Sequence, residues 1–194
     1  MITDCTAIVM AGGDSSRMGT DKANVTLGDK TLLQTVAATM QQLFPQVIVS
    51  VRQPRAGIDL PQVCDEVPDG GPLAGLAASL GKITTPWAFM VSCDMPFVVP
   101  EVVELLAGYR SRHQAVVPVV HGHPQPLAAF YAASCLASLR ARLESQQKSL
   151  RGVLQQLDVR YVDEAEMLQA DPQLRSFFDL DTPQDVVAAK NGVR

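Results

Sequence analysis

No stretch of this sequence reaches the roughly 18 consecutive apolar residues that a membrane-spanning helix needs, so a membrane partner is not expected. The N-terminus carries no basic segment followed by an apolar run, so no secretory signal is expected either. Cysteine is scarce. Cys5, Cys64, Cys93 and Cys135 are scattered, with no C-x-x-C pair and no histidine at zinc-ligand spacing. They read as reduced, mostly buried thiols, which suits a cytoplasmic setting. Positive charge is short as well: 16 Lys and Arg against 20 Asp and Glu leave a formal net charge of −4. Nucleic acid and anionic membrane surfaces both want a basic face, so neither is expected as a partner. An acidic chain that binds a polyanion must gather its few cations in one place. Two familiar phosphate loops are missing too. There is no Gly-Lys-Ser/Thr of a Walker loop and no G-x-G-x-x-G.

What is present is an ordinary globular composition, 47% hydrophobic and 19% charged over 194 residues. That length suits a single domain, 1–194, burying about 70% of its unfolded surface without help from disulfides or metals. Apolar runs alternate with amphipathic stretches. Thr6 to Met10, Val47 to Val51, Trp87 to Val91, Ala115 to Val120 and Pro126 to Tyr131 read as strands, and Cys64 ends another short one. Helices are expected over Thr31–Leu43, Leu73–Leu80, from Pro100, over about Ser134–Glu144 and Ser149–Leu157, and from about Asp181 toward Lys190. Gln53–Pro61 and His121–Pro124 read as mobile surface loops. Such alternation predicts an α/β fold, a Rossmann-like three-layer sandwich with a mainly parallel mixed sheet. Ligands in open α/β sheets sit beyond the carboxyl ends of the strands. That rule selects the loop after Met10, the loop after Val51 and the turn after Val91.

The loop after Met10 is the richest in chemistry. Ala11-Gly12-Gly13-Asp14-Ser15-Ser16-Arg17-Met18-Gly19 is followed closely by Lys22. Glycines there allow a sharp turn and a close approach of backbone N–H groups to an anion. Two serine hydroxyls and two cations add further donors, enough to surround a triphosphate. Asp94 follows a hydrophobic strand in Cys93-Asp94-Met95-Pro96, where a carboxylate suits Mg²⁺ or simply a turn. Asp65 ends a short strand and reads either as a ligand contact or as a loop aspartate. Gly71-Pro72-Leu73-Ala74-Gly75 permits close backbone approach to a flat base at a helix N-terminus, or merely starts a helix. Asp181 reads equally as a site carboxylate and as the N-cap of the last helix. Lys148 and Arg151 open a late helix and read first as a solvated face. His121 and His123 read as solvated loop residues.

Met10-Ala11-Gly12-Gly13, Ser16-Arg17-Met18-Gly19 and Asp21-Lys22 resemble the signature of the Rossmann-like nucleotidyltransferases, and most of all that of the molybdenum cofactor guanylyltransferases. The resemblance runs from Ala7 to about Ala188. It implies that Met10, Ala11, Gly12 and Gly13 line the nucleotide, and that Arg17 and Lys22 neutralise its phosphates. It makes Asp94 the magnesium carboxylate and Asp65 a nucleotide contact. Gly71, Pro72, Leu73 and Gly75 become guanine-recognition residues. Ser50 falls where the family often carries asparagine near base or ribose, and a serine can still donate and accept a hydrogen bond. Pro126, Lys148, Arg151, Asp179 and Asp181 would face the acceptor. The implied substrates are GTP and molybdopterin, the latter with or without molybdenum, and the implied partners are cofactor-biosynthesis and insertion proteins. Arg17, Lys22 and Asp94 would carry catalysis. The nucleophile is already an anionic phosphate, so no strong general base is required, and none is evident. Rival readings are a CTP-using or sugar-phosphate nucleotidyltransferase and a nucleotide sensor without turnover.

Overall fold

A computed structural model describes residues 1–12, 22–67 and 69–190. Its strands in chain order are β1 (Cys5–Met10), β2 (Thr26–Leu27), β3 (Lys30–Thr31), β4 (Gln46–Val51), β5 (Gln62–Cys64), β6 (Trp87–Ser92), β7 (Ala115–Val120), β8 (His123–Pro124), β9 (Ala128–Ala132) and β10 (Val159–Val162). Its α-helices are α1 (Leu32–Leu43), α2 (Gly71–Leu80), α3 (Pro100–Gly108), α4 (Leu136–Glu144), α5 (Leu150–Leu154), α6 (Glu164–Ala170) and α7 (Pro183–Lys190). The main sheet runs in the order β10-β7-β9-β6-β1-β4-β5, with β8 paired to β7. β1, β4, β5 and β6 are mutually parallel, whereas β9 runs antiparallel between β6 and β7. The expected mixed, mainly parallel sheet is therefore present.

Alternate residues of the central strands face opposite helical layers, as the period of two requires. Ala7, Val9, Val49, Phe89 and Val91 pack toward α1, α3 and α6, whose Val36, Met40, Val102, Leu106 and Met167 are buried with them. Ile8, Met10, Ala88 and Met90 pack instead with Leu73 and Leu76 of α2, Leu139 of α4 and Val153 of α5. Burial on both faces explains why β1 and β6 read as continuous apolar runs. Helix α1 starts in a reciprocal cap: Gln34 N donates to Thr31 Oγ1 at 3.1 Å and Thr31 N to Gln34 Oε1 at 2.9 Å. Among the described residues no helix is long and apolar enough to cross a membrane. All four cysteines are free, and Cys5, Cys93 and Cys135 are buried.

Several boundaries differ from the sequence reading. α2 begins at Gly71 rather than Leu73, and β9 spans Ala128–Ala132 with Pro126 outside it. Proline has no N–H for the ladder. A 3₁₀ turn over Ala133–Cys135 precedes α4, and α5 stops at Leu154. The loop His121–Pro124 folds as a tight hairpin, with His121 and Gly122 at φ of 51° and 74°, the conformation of two-residue β-turns. The segment after Gln53 is anchored at its start, because the Gln62 amide both accepts from Arg55 N (2.9 Å) and donates to Arg55 O (2.8 Å).

Candidate active site

Strand register brings the expected positions to one end of the sheet. Met10 lies opposite both Ser50 and Ser92. Beyond those pairs, Ala11 N donates to Ser50 O (2.8 Å), Cys93 N to Met10 O (3.0 Å) and Asp65 N to Val51 O (3.0 Å). The chain segments carrying Gly12, Arg52, Asp65 and Asp94 thus emerge side by side. Ala11 spends its N–H on this ladder, so Gly12 offers the first N–H of the loop that is unused among the described residues. Gly13, Arg17 and the rest of the loop through Asp21 lie outside the described residues.

Lys22 opens a 3₁₀ turn, Lys22–Asn24, and reaches back over the strand ends. Its Nζ donates to Asp94 Oδ2 at 2.8 Å and also bonds Asp181 Oδ1. The Lys22 and Asp94 side chains are only 13% and 15% exposed. Burial disfavours the ammonium, but hydrogen bonds to Asp181 and Asp94 outweigh it and hold the Lys22 pKa above its ordinary value. Asp179 completes the group. Burial first, then the charges of Asp94 and Asp181, push its carboxyl up to about 7, with Lys22 pulling the other way. Leu180 N donates to Asp94 O at 2.9 Å, which ties the C-terminal segment to the turn after β6. The side chain of Leu180 is buried with Leu32 and Val186, anchoring that segment on α1 and α7.

Asp181 is not the cap of the last helix. That place belongs to Thr182, whose Oγ1 accepts from Asp185 N at 3.2 Å, while Asp185 Oδ2 accepts from Thr182 N at 2.7 Å and from Asp181 N at 3.1 Å. The Asp181 side chain is turned to Lys22 instead. Asp185, which sequence reasoning passed over, fixes the backbone that presents it. The spacing Thr-Pro-Gln-Asp was the available signal.

A second group gathers around α2. A Cβ on Gly75 would lie 2.5 Å from Met10 Cε, 2.6 Å from Ser50 Oγ and 3.2 Å from Asp65 Oδ1. Gly75 therefore lets α2 seat on the ends of β1, β4 and β5, and protein atoms already fill the space beside it. Ser50 Oγ and Asp65 Oδ1 are buried there without a hydrogen-bond partner among the described residues. Burial pushes the Asp65 carboxyl up, against the pull of the Arg52 guanidinium and of the nearby Ser50 hydroxyl, which comes close without completing a well-formed hydrogen bond. Gly71 adopts φ of 62°, a left-handed conformation that favours glycine, and Pro72 occupies the first turn of α2. Leu73, expected to contact the nucleotide, is instead fully buried in the core, backbone included, whereas Gly71 and Pro72 before it reach the surface.

The acceptor candidates are less tightly gathered. Pro126 sits at the same sheet end: its carbonyl accepts from Tyr131 Oη at 2.8 Å, and the next residue's carbonyl accepts from Ser92 N at 3.0 Å. Lys148 and Arg151 are exposed at the start of α5, and neither hydrogen-bonds to the Lys22 group among the described residues. Exposed His121 contacts Glu164 (Nδ1 to Oε2, 3.4 Å), away from the carboxylates of the site.

A mainly parallel mixed sheet whose strand ends carry Gly12, a lysine and convergent aspartates agrees with the nucleotidyltransferase signature read in the sequence. Residues 7–162 match the model of the MobA-like NTP transferase domain. The chain belongs to the MobA-like NTP transferase family. A probable molybdenum cofactor guanylyltransferase of Chloroflexus aggregans is 35% identical over 92% of this chain and 90% of its own length. One from Pelotomaculum thermopropionicum is 32% identical over 95% and 91%. Among solved structures, molybdopterin-guanine dinucleotide biosynthesis protein A from Archaeoglobus fulgidus superposes with a TM-score of 0.86 at 28% identity, covering 96% of this chain and 97% of that one. The 2-C-methyl-D-erythritol 4-phosphate cytidylyltransferase of Thermus thermophilus shares the fold, with a TM-score of 0.71 at 19% identity and coverage of 95% and 97%. Fold and family thus agree with the sequence resemblance.

Proposed function

We propose that this chain transfers GMP from GTP to the terminal phosphate of molybdopterin, forming the guanine dinucleotide and releasing pyrophosphate. The observation that carries this reading is the convergence of Lys22, Asp94 and Asp181 beside Gly12 at the carboxyl edge of the sheet. An oxygen of the acceptor phosphate attacks the α-phosphorus, and the bond from that phosphorus to the bridging oxygen breaks. The bridging oxygen leaves with pyrophosphate. Because the nucleophile is already anionic, the residues need to position and neutralise rather than to remove a proton.

Lys22 brings positive charge to the phosphates, and Arg17 is assigned the same task from the family signature. Gly12 and Gly13 supply backbone N–H groups to the phosphate chain. Ser50 and Asp65, with buried oxygens still unpaired, suit the hydroxyl and amino donors of a nucleoside. The backbone of Gly71 and Pro72 suits guanine, and Pro126, Lys148 and Arg151 suit the acceptor. Asp94 and Asp181 fit a divalent cation, because both are carboxylates brought onto one ammonium. No cluster of three or more potential metal ligands exists among the described residues. That donor set matches magnesium, which takes one or two carboxylates and fills its shell with water and phosphate oxygens. When bound, magnesium would supply charge neutralisation and orientation of the phosphate oxygens. Residues 1–194 are read as one domain acting in the cytoplasm, passing product to cofactor-insertion proteins, with no role for nucleic acid or membrane.

The test is pyrophosphate release by the purified chain with molybdopterin, magnesium and GTP, CTP or ATP in separate assays. Release with GTP alone, dependent on the acceptor, is expected. Preference for CTP would overturn the guanine assignment. GTP binding with no pyrophosphate under any acceptor would make the chain a sensor.

A further inference from the structure

Arg52 belongs to none of the motifs above, yet it stands at the phosphate end of the site. It follows β4 directly, one residue beyond the Val51 carbonyl that holds Asp65. Its backbone N and its Cγ lie 3.2 and 3.3 Å from where a Cβ on Gly12 would be, so the stem of the arginine lies along Gly12. Its charge acts on Asp65 without forming an ion pair.

Three other arginines are committed elsewhere, while Arg112, Arg140 and Arg151 are exposed and unpartnered like Arg52 among the described residues, so the place beside Gly12 is what sets Arg52 apart. Arg110 is paired with Asp4 at 3.0 Å, Arg160 with Glu166 at 2.9 Å, and Arg175 stacks over Phe97 at 4.6 Å. Arg52 is exposed and makes no hydrogen bond, ion pair or ring contact among the described residues. It sits beside Gly12, whose N–H is unused there. In a chain of net charge −4, a guanidinium without an ion pair, carried on a stem that runs along Gly12, can add its planar donors to the Gly12 N–H at one anion.

We infer that Arg52 is a further nucleotide-binding residue, closing on the phosphate chain from the β4 side while Lys22 approaches it from the β6 side. This rests on the reading of the glycine loop as a triphosphate site. A phosphate oxygen that reaches the Gly12 N–H lies within a side-chain length of the Arg52 guanidinium, which can bind it with planar, paired donors. Arg52 then contributes to affinity through charge, and its aliphatic stem only fills space beside Gly12.

The experiment compares GTP and guanosine binding to the full chain and to its Arg52→Gln and Arg52→Lys variants, by calorimetry and by competition. Glutamine keeps most of the stem and removes the charge. Arg52→Gln is expected to weaken GTP binding about tenfold, the loss of one charge-assisted contact, and to leave guanosine binding unchanged. Arg52→Lys should regain at least half of that loss on a logarithmic scale. The dependence of GTP affinity on salt should be shallower in Arg52→Gln than in the parent chain. GTP affinity within twofold of the parent in Arg52→Gln overturns the inference. So does an equal loss for guanosine, which would place the effect at Asp65 and the nucleoside. Failure of the parent chain to bind GTP would sink the functional reading itself, a different outcome.

Discussion

Lys22 Nζ and Asp94 Oδ2 lie 2.8 Å apart across 72 residues of chain. The ion pair joins the end of the glycine loop to the turn after β6, and it helps keep Lys22 protonated. Asp94 therefore already has a cation when no nucleotide is bound, and a metal ion must share it or displace Lys22. Lys22→Met should lower guanylyl transfer by about 10²–10³-fold, the usual cost of removing one preorganised charge from a transfer site. It should also tighten magnesium binding in the absence of nucleotide, since Asp94 and Asp181 lose their shared cation. Calorimetric titration with magnesium alone measures this. Weaker magnesium binding in the variant would mean that Lys22 does not compete at Asp94.

Asp179 makes stability depend on pH in a definite direction. Its folded carboxyl is raised from the ordinary 3.8 to about 7, so the folded state holds a proton that the unfolded state releases. Its stabilising contribution is complete below about pH 4 and is lost as pH rises through about 7, and because Asp179 is exposed, solvent screening keeps the total well below what the full shift would give. Asp179→Asn should flatten the fall in stability over that window. Urea unfolding in a chelator at several pH values between 4 and 8 reads it. An unchanged slope would place the Asp179 carboxyl in a more solvated position.

Gly75→Ala should be costly because its Cβ has no room. Two neighbours, Met10 Cε and Ser50 Oγ, fall within 2.6 Å of that position. Overpacking of this kind costs about 1–3 kcal/mol. α2 should lift away from Ser50 and Asp65, and the Kd for GTP should rise more than thermal stability alone explains. Normal GTP affinity in a destabilised Gly75→Ala would confine the glycine to packing.

Asp185→Ala should remove the acceptor shared by Thr182 N, Thr182 Oγ1 and Asp181 N. Loss of a helix cap costs about 1 kcal/mol. Because the same contact fixes the backbone of Asp181, kcat should fall while the KM for GTP changes little. A variant with lowered thermal stability and parental kcat would limit Asp185 to capping α7.

The sequence made the strands β1, β4, β6 and β7 legible because sheet burial demands unbroken apolar runs there. It hid β10, whose four residues Val-Arg-Tyr-Val are only partly covered at the sheet edge. It hid α6 as well, although Asp163 and Glu166 form a reciprocal cap that the spacing Asp-x-x-Glu announces. The hairpin of β2 and β3 rests on Gly28 at φ of 70° and on only two paired residues per strand. At the site, Lys22, Asp94, Ser50, Asp65 and Gly75 were each legible from motif position. Their grouping was not, because register decides which strand ends meet. Asp181 was left between two roles until the structure gave the cap to Thr182. Arg52 escaped notice because only contact with Gly12, forty residues earlier in sequence, distinguishes it from any exposed arginine.

Following the label from GTP is the decisive measurement. With molybdopterin, magnesium and the purified chain, label in the α-phosphate should appear in a molybdopterin guanine dinucleotide, and label in the γ-phosphate should leave as pyrophosphate. Label from the γ-position recovered as inorganic phosphate, with GDP formed and no dinucleotide, would contradict guanylyl transfer at this site.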